Sequence, residues 1–178
     1  MRMLSLMQLQ AGCPALTPHR GGAMAEAAAV CLENQGHGEA VELAVRGFFA
    51  EVFKLACPPV TAQMQRAYHD LPEAVEHGSY GIAILLVREL TGLTVVLRTR
   101  KGPGFDYWLG PADFSAEPQN FLAPAARLEV SGILKGNKPL IAARVKEKLE
   151  QTKSSDGLLP AYVVVVEYSY PCAEVRRR

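Results

Sequence analysis

Long apolar runs and closely spaced cysteines are both missing from this sequence of 178 residues. No stretch approaches the roughly 18 consecutive apolar residues of a membrane-spanning helix, so a membrane protein is not expected. The four cysteines stand far apart, which excludes a CxxC metal or thiol redox motif. These absences predict a protein of the reducing cytoplasm.

The usual signatures of nucleotide hydrolysis and nucleophilic catalysis are also missing. The segment 132–138 holds no phosphate-loop pattern, and no Ser/His/Asp or Cys/His set stands in a recognisable context. Apolar residues make up 49% of the chain and charged residues 21%, which is ordinary for a globular protein. A folded domain is therefore predicted, and disorder is excluded as the main state.

The net charge of +1 hides an asymmetry along the chain. Residues 1–80 carry five basic and eight acidic residues, whereas residues 81–178 carry fourteen basic and ten acidic residues. The basic half is compatible with a polyanion such as DNA, although the excess is small for a dedicated DNA-binding domain. A solvated surface explains the same charges.

The composition divides the chain into four segments. Residues 11–23 are rich in Gly, Pro and Thr, and residues 1–23 are predicted to be disordered; either Met1 or Met24 fits as the start. Residues 24–70 are predicted to form a layer of helix and hairpin; periodicity within 39–57 fits either state, and Gly47 favours the hairpin. Residues 71–170 form the predicted core, and residues 171–178 a basic tail.

Within the core the pattern predicts an α/β fold with the order helix, three strands, helix, strand. The predicted helices cover 73–90 and 139–151, and the predicted strands cover 93–99, 105–109, 126–133 and 162–168. The run of four valines at 163–166 is apolar at every position. Such a run is typical of a strand buried on both faces, so we expect it inside a mixed sheet flanked by helices.

Two carboxylates fall on neighbouring strands of this core. Asp106 lies on the second predicted strand and Glu129 on the third, each pointing to one face of its strand. If the strands are neighbours, the two acidic side chains meet, and their mutual repulsion favours a cation between them. Mg²⁺ or Mn²⁺ suits such oxygen ligands.

The element order and these acidic positions resemble the PD-(D/E)XK nuclease superfamily. The resemblance covers roughly residues 71–170 and implies a restriction-endonuclease-like fold, Mg²⁺ and hydrolysis of phosphodiesters in DNA. It assigns the metal to Glu76 on the first core helix, Asp106 and Glu129, with Ser131 standing where the family has Lys. Ser131 is then expected to contact the water or the phosphate.

A cation for the missing Lys is predicted in the turn that precedes Asp106. A three-residue turn would place Arg100 opposite Asp106, and a two-residue turn would place Lys101 there, because register alone decides the face. Lys101 suits catalysis since a buried Lys can lose its proton, whereas Arg100 suits a phosphate clamp. Lys135 and Lys138 are further candidates for contacts to the DNA backbone.

Two other interpretations stay open at this point. Asp106 and Glu129 could form cross-strand ion pairs with Arg100 and Arg127 instead of a metal site. The loss of the family Lys at Ser131 also fits a catalytically inactive nuclease fold that serves as a binding or scaffold subunit. Such a subunit would bind a protein partner or form a homodimer, so the sequence leaves enzymatic activity undecided.

Overall fold

Eight strands form one mixed sheet in a computed structural model, which describes residues 1–100, 102–112, 124–157 and 159–178. The strands are β1 Arg2–Ser5, β2 Ala40–Gly47, β3 Glu51–Ala56, β4 Leu93–Arg98, β5 Tyr107–Pro111, β6 Ala126–Ile133, β7 Ala161–Glu167 and β8 Cys172–Arg177. The helices are α1 Pro18–Asn34, α2 Ala62–Ala67, α3 Leu71–Thr91 and α4 Lys138–Gln151. The strand order is β1-β3-β2-β8-β7-β6-β5-β4.

Strand β7 lies inside the sheet, as its four valines predict. It pairs in parallel with β6 and antiparallel with β8, and all seven of its residues are buried. Val164 and Val166 belong to the main core with α1 and α3, whereas Val163 and Val165 pack beneath α4. The sheet is therefore mixed and flanked by helices on both faces, which confirms the predicted α/β class.

The order of elements along residues 71–167 also agrees with the prediction. Helix α3 is followed by β4, β5 and β6, then by α4 and β7. Gly92 ends α3 in the left-handed region, at φ 73°, where glycine carries no Cβ penalty. Asn137 begins α4 by accepting a hydrogen bond from the backbone N–H of Leu140 at 3.0 Å.

Both ends of the chain differ from the sequence-based expectation. Residues 1–23 were predicted to be disordered, but they contain β1, a 3₁₀ helix at Leu6–Ala11 and the first turns of α1. Leu6 and Leu9 are buried in the main core, which explains the order. Residues 171–178 were predicted as a basic tail, but they contain β8, whose Ala173 and Val175 are buried.

The hairpin predicted around Gly47 is present as β2 and β3. It does not form a separate layer, because β2 pairs in parallel with β8 and so extends the central sheet. Helix α2 begins after Thr61, as predicted, and packs against α1 through Met64. No helix among the described residues has the length and apolar character needed to cross a membrane.

Candidate active site

Asp106 and Glu129 are brought together where β5 begins beside β6. Tyr107 pairs with Leu128 across these antiparallel strands, and the N–H of Asp106 donates to the carbonyl of Leu128 at 2.8 Å. Asp106 therefore stands opposite Glu129. Both side chains line one pocket, in which the charge of Asp106 acts on the Glu129 carboxyl.

Two hydrogen-bond donors fix the Asp106 carboxylate. The hydroxyl of Tyr80 on α3 donates to Oδ1 at 2.9 Å, and the backbone N–H of Val130 donates to Oδ2 at 2.9 Å. Burial and the nearby Asp106 charge raise the pKa of Tyr80 well above its usual range, so Tyr80 stays a donor. Each carboxylate oxygen keeps lone pairs for a further partner.

Glu129 pairs with Lys148, which projects from α4. The Lys148 Nζ lies 2.8 Å from Oε1 of Glu129 and 3.0 Å from Oε1 of Gln151. The Glu129 side chain is only 3% exposed. Burial, and secondly the Asp106 charge, raise the pKa of Glu129 to about 8 against the opposing effect of Lys148. Burial thus favours the neutral form of the Glu129 carboxyl, and the ammonium of Lys148 favours the charged form.

These groups line one open pocket of about 380 Å³ between α3, β6 and α4. Arg144 adds a second cation, and its Nη1 donates to the hydroxyl of Ser131 at 2.8 Å. The described lining is Pro72, Val75, Glu76, Tyr80, Asp106, Glu129, Val130, Ser131, Gly132, Arg144, Lys148 and Gln151. We call this the acid pocket. Carboxylates and cations face each other across it.

A tight turn locks the Asp106 strand against the end of α4. Gly104 has φ +78°, and a Cβ at this position would lie 2.2 Å from the carbonyl oxygen of Gln151. The hydroxyl of Ser154 donates to the carbonyl of Pro103 at 3.0 Å in the same contact. Only glycine permits this approach, which brings the Lys148 turn of α4 beside Asp106.

Arg127 has a structural part beside the pocket. Its buried guanidinium donates to the carbonyls of Leu159 at 2.7 Å and Thr152 at 3.1 Å. It thereby holds the segment between α4 and β7, rather than pairing with Glu129. Asp106 likewise takes its hydrogen bonds from Tyr80 and Val130, so the cross-strand ion-pair ladder is not what these strands form.

Glu76 and Ser131 lie on the wall of the acid pocket. Glu76 is more distant from the other acids, and Oε1 lies 3.5 Å from the Tyr80 hydroxyl that already bonds Asp106. Among the described residues, no three acidic, His or Cys side chains are grouped closely enough to form a metal site on their own. Asp106 and Glu129 are the protein ligands available at the centre.

Arg100 does not stand opposite Asp106, where a three-residue turn would place it. Thr99, not Arg100, stands opposite Asp106, because the N–H of Thr99 donates to the Asp106 carbonyl at 3.0 Å. Arg100 is exposed and lies outside the described lining of the acid pocket. Lys101 lies outside the described residues. Lys135 and Lys138 are exposed, and Lys138 borders a different groove.

Sequence reasoning missed Tyr80, Arg144 and Lys148. Tyr80 lies four residues after Glu76, which puts both on one face of α3. Arg144 and Lys148 are also four apart, and each directly precedes a residue of the apolar stripe that packs on the sheet. This position beside the stripe was the available signal that they line a pocket instead of a solvated face.

The arrangement combines a carboxylate pair, a lysine and an arginine in a pocket open to solvent. Oxygen ligands of this kind suit a hard divalent cation, and the two cations suit an anionic substrate such as a phosphate ester. Neither the protein-family models nor the curated proteins searched with this sequence give a match. The chemistry of the pocket is therefore argued from its residues.

Proposed function

We propose that this protein is a divalent-metal-dependent phosphodiesterase of the nuclease type that acts on DNA. The observation that carries the proposal is the convergence of Asp106, Glu129 and Lys148 in one pocket. Carboxylates suit a divalent metal, and a lysine can stabilise the negative charge that develops on the phosphate. The pocket supplies both carboxylates and the lysine.

The topology adds support for a restriction-endonuclease-like core of the PD-(D/E)XK type. The order α3, β4, β5, β6, α4, β7 matches the element order of that superfamily, with Asp106 and Glu129 at its acidic positions. Ser131 departs from its motif. In our proposal, Lys148 replaces the missing Lys from α4, because its Nζ reaches Glu129 from the neighbouring helix.

The residues of the pocket fit Mg²⁺ or Mn²⁺. Mg²⁺ is usually held by one or two carboxylates, with waters and substrate phosphate oxygens completing its shell. Asp106 and Glu129 meet that requirement, and a bound cation would oppose the burial and the Asp106 charge that raise the pKa of Glu129. Bound there, the metal would supply Lewis-acid polarisation of the phosphoryl oxygen.

The protein's own residues have separate roles in this proposal. Lys148 holds a positive charge beside Glu129, where it stabilises negative charge that develops on the phosphate. Arg144, whose side chain is 34% exposed, reaches the pocket mouth and can bind a nonbridging phosphate oxygen. Tyr80 and the Val130 N–H keep the Asp106 carboxylate in one orientation.

A cleavage assay tests the proposal. A labelled duplex DNA is incubated with the purified protein in Mn²⁺, in Mg²⁺ and in EDTA, and Asp106→Asn is compared with Glu42→Gln. Glu42 is an exposed carboxylate on β2, away from the described lining of the acid pocket. Cleavage that needs metal, survives Glu42→Gln and disappears in Asp106→Asn supports the proposal; no cleavage with either metal contradicts it.

One observation favours the alternative of a catalytically inactive binding subunit. Among the described residues, three metal-ligating side chains do not cluster, and Lys148 already bonds Glu129. In that case the ion pair is a structural contact, and the pocket binds an anionic partner through Arg144 without hydrolysis. DNA binding without metal-dependent cleavage would favour this alternative.

A further inference from the structure

A second groove lies on the opposite flank of α4 from the acid pocket. It has a volume of about 440 Å³, and its walls come from β2, α4 and β8. Its described lining is Arg46, Lys138, Ile141, Ala142, Val145, Glu174 and Arg176. We call it the basic groove, because three cations and one carboxylate surround an apolar floor.

The register of the sheet fixes how the two sites are related. Val163 on β7 pairs with Glu129 on one side and with Arg176 on the other. Glu129 and Arg176 therefore share one row and one face of the sheet, two strand spacings apart, or roughly 10 Å. Val163 itself is buried beneath α4, so the helix forms a ridge between the two sites.

Cations border this ridge on both sides. Arg144 and Lys148 line the acid pocket, whereas Arg46 and Lys138 line the basic groove. Among the described residues, Arg46 and Lys138 form no ion pair, and Arg176 pairs with Glu174. The basic groove thus carries a positive excess that its own walls do not neutralise, which suits a polyanion.

The ridge also stands alone on its face of the sheet. Helices α1 and α3 pack against the opposite face of the sheet, and α2 packs on α1. Among the described residues, α4 is the one helix longer than two turns on its own face. Its outward residues include Glu147 and Glu150, which pair with Arg144 and Lys153. These pairs reduce the repulsion that the two carboxylates would exert on DNA.

The dimensions of this ridge match B-form DNA. An α-helix with its side chains is about 10–12 Å across, and the major groove of B-DNA is about 12 Å wide, so the groove admits a helix. A phosphate backbone then runs along each flank. A single strand supplies only one backbone, and the deep, narrow major groove of A-form RNA does not admit the helix.

We propose that α4 enters the major groove of duplex DNA, with the basic groove binding the phosphate backbone of one strand. The other strand then lies at the acid pocket, and this part of the inference rests on the proposed function. Arg46, Lys138 and Arg176 are phosphate-binding residues in this arrangement. The substrate class is thereby narrowed to B-form duplex DNA.

Equilibrium binding in EDTA tests this arrangement without cleavage. The affinity of the whole chain is measured by fluorescence anisotropy for a 20-base-pair DNA duplex, which spans about two helical turns. The same measurement is made for one of its single strands and for an RNA duplex of the same sequence. We expect the DNA duplex to bind at least about tenfold more tightly than either of the others, a difference of about 1.4 kcal/mol. Equal binding of the RNA duplex, or no binding of DNA, would overturn the proposal.

The variants Arg46→Ala/Arg176→Ala and Arg66→Ala/Arg88→Ala make a charge-matched pair. Arg66 and Arg88 lie on α2 and α3, outside the described lining of both sites. Loss of two phosphate contacts should reduce the slope of log K against log salt by about 2 in the first variant, and by much less in the second. Equal slopes in the two variants would contradict the proposal.

A single exposed substitution guards against misfolding. Arg46→Gln removes the charge without placing a carboxylate opposite Glu174, its partner on β8, and its melting temperature can be compared with that of the unaltered protein. We expect an unchanged melting temperature and weaker DNA binding. DNA binding at the original strength would overturn the proposal that the basic groove binds the phosphate backbone. Cleavage of DNA by the unaltered protein is measured separately. If the protein shows the expected DNA binding but no cleavage, the result counts against the proposed function alone.

Discussion

The Nζ atom of Lys148 lies 2.8 Å from Oε1 of Glu129, so a helix supplies the cation that faces a strand carboxylate. Lys148 lies 17 residues after Ser131, the position where the family resemblance expects Lys, and about three turns into α4. Both charged groups are largely shielded from water, with side chains 18% and 3% exposed. The pair is therefore more than a screened surface contact.

Glu129 should make stability depend on pH. Its folded-state pKa of about 8 exceeds the ordinary value of 4.5, so the folded state binds more protons between these values. This contribution to stability is complete below pH 4.5 and is lost as pH rises through 8, by at most about 1.4 kcal/mol per pH unit. Denaturant unfolding from pH 5 to 9 should show a decline that Glu129→Gln flattens. A decline of equal slope in Glu129→Gln would contradict the assignment.

Mn²⁺ should raise the melting temperature, because a ligand that binds only the folded state stabilises it. At millimolar Mn²⁺, with no DNA present, the shift should be larger at pH 8.5 than at pH 6, since protons compete with the metal for Glu129. Asp106→Asn should abolish the shift, and Glu42→Gln should retain it. A melting temperature that ignores Mn²⁺ at both pH values would favour a structural ion pair.

The Gly104 contact should be intolerant of a side chain. Gly104→Ala places a Cβ 2.2 Å from the Gln151 carbonyl oxygen, so the turn and the end of α4 must separate. Gly102→Ala is the control, because Gly102 also has a positive φ, at +132°, but nothing lies within 4 Å of its Cβ. We expect Gly104→Ala to lose roughly 1–3 kcal/mol more of unfolding free energy than Gly102→Ala, on the scale of overpacking. Equal losses would mean that backbone strain alone matters here.

The order of the core elements could be predicted because each is specified locally. The apolar run at 163–166 and the alternation in 126–133 fix their strands from neighbouring residues alone. Asp106 and Glu129 followed from the same periodicity, since adjacent strands with matched faces bring their side chains together. A helix and hairpin before residue 71 were predicted on the same local grounds.

The remaining errors come from contacts between distant segments. Strand β8 depends on pairing with β7 and β2, and the order of residues 1–23 depends on burial of Leu6 and Leu9, neither of which a local pattern reports. The register at Asp106 follows from a longer turn than the two or three residues considered from the sequence, because Arg98 pairs with Tyr107 and Thr99 stands opposite Asp106.

Sequence reasoning missed Lys148 for a related reason. The apolar stripe of α4 shows that the helix packs on the sheet, but not which strand lies under each flank. Only the parallel pairing of β6 with β7 puts Glu129 beneath the Lys148 flank. The contact between Lys148 and Glu129 therefore required the three-dimensional structure.

Single-turnover cleavage of duplex DNA in Mn²⁺ tests the central claim most directly. Rates are compared for the unaltered protein and for Asp106→Asn, Lys148→Ala, Lys146→Ala and Lys101→Ala. Our account predicts no cleavage by Asp106→Asn and a rate about 10²–10³ lower in Lys148→Ala, the scale for removing one electrostatic stabiliser. Lys146, exposed on α4, and Lys101 should be dispensable. A Lys148→Ala rate equal to that of the unaltered protein, or undiminished cleavage by Asp106→Asn, would contradict the account.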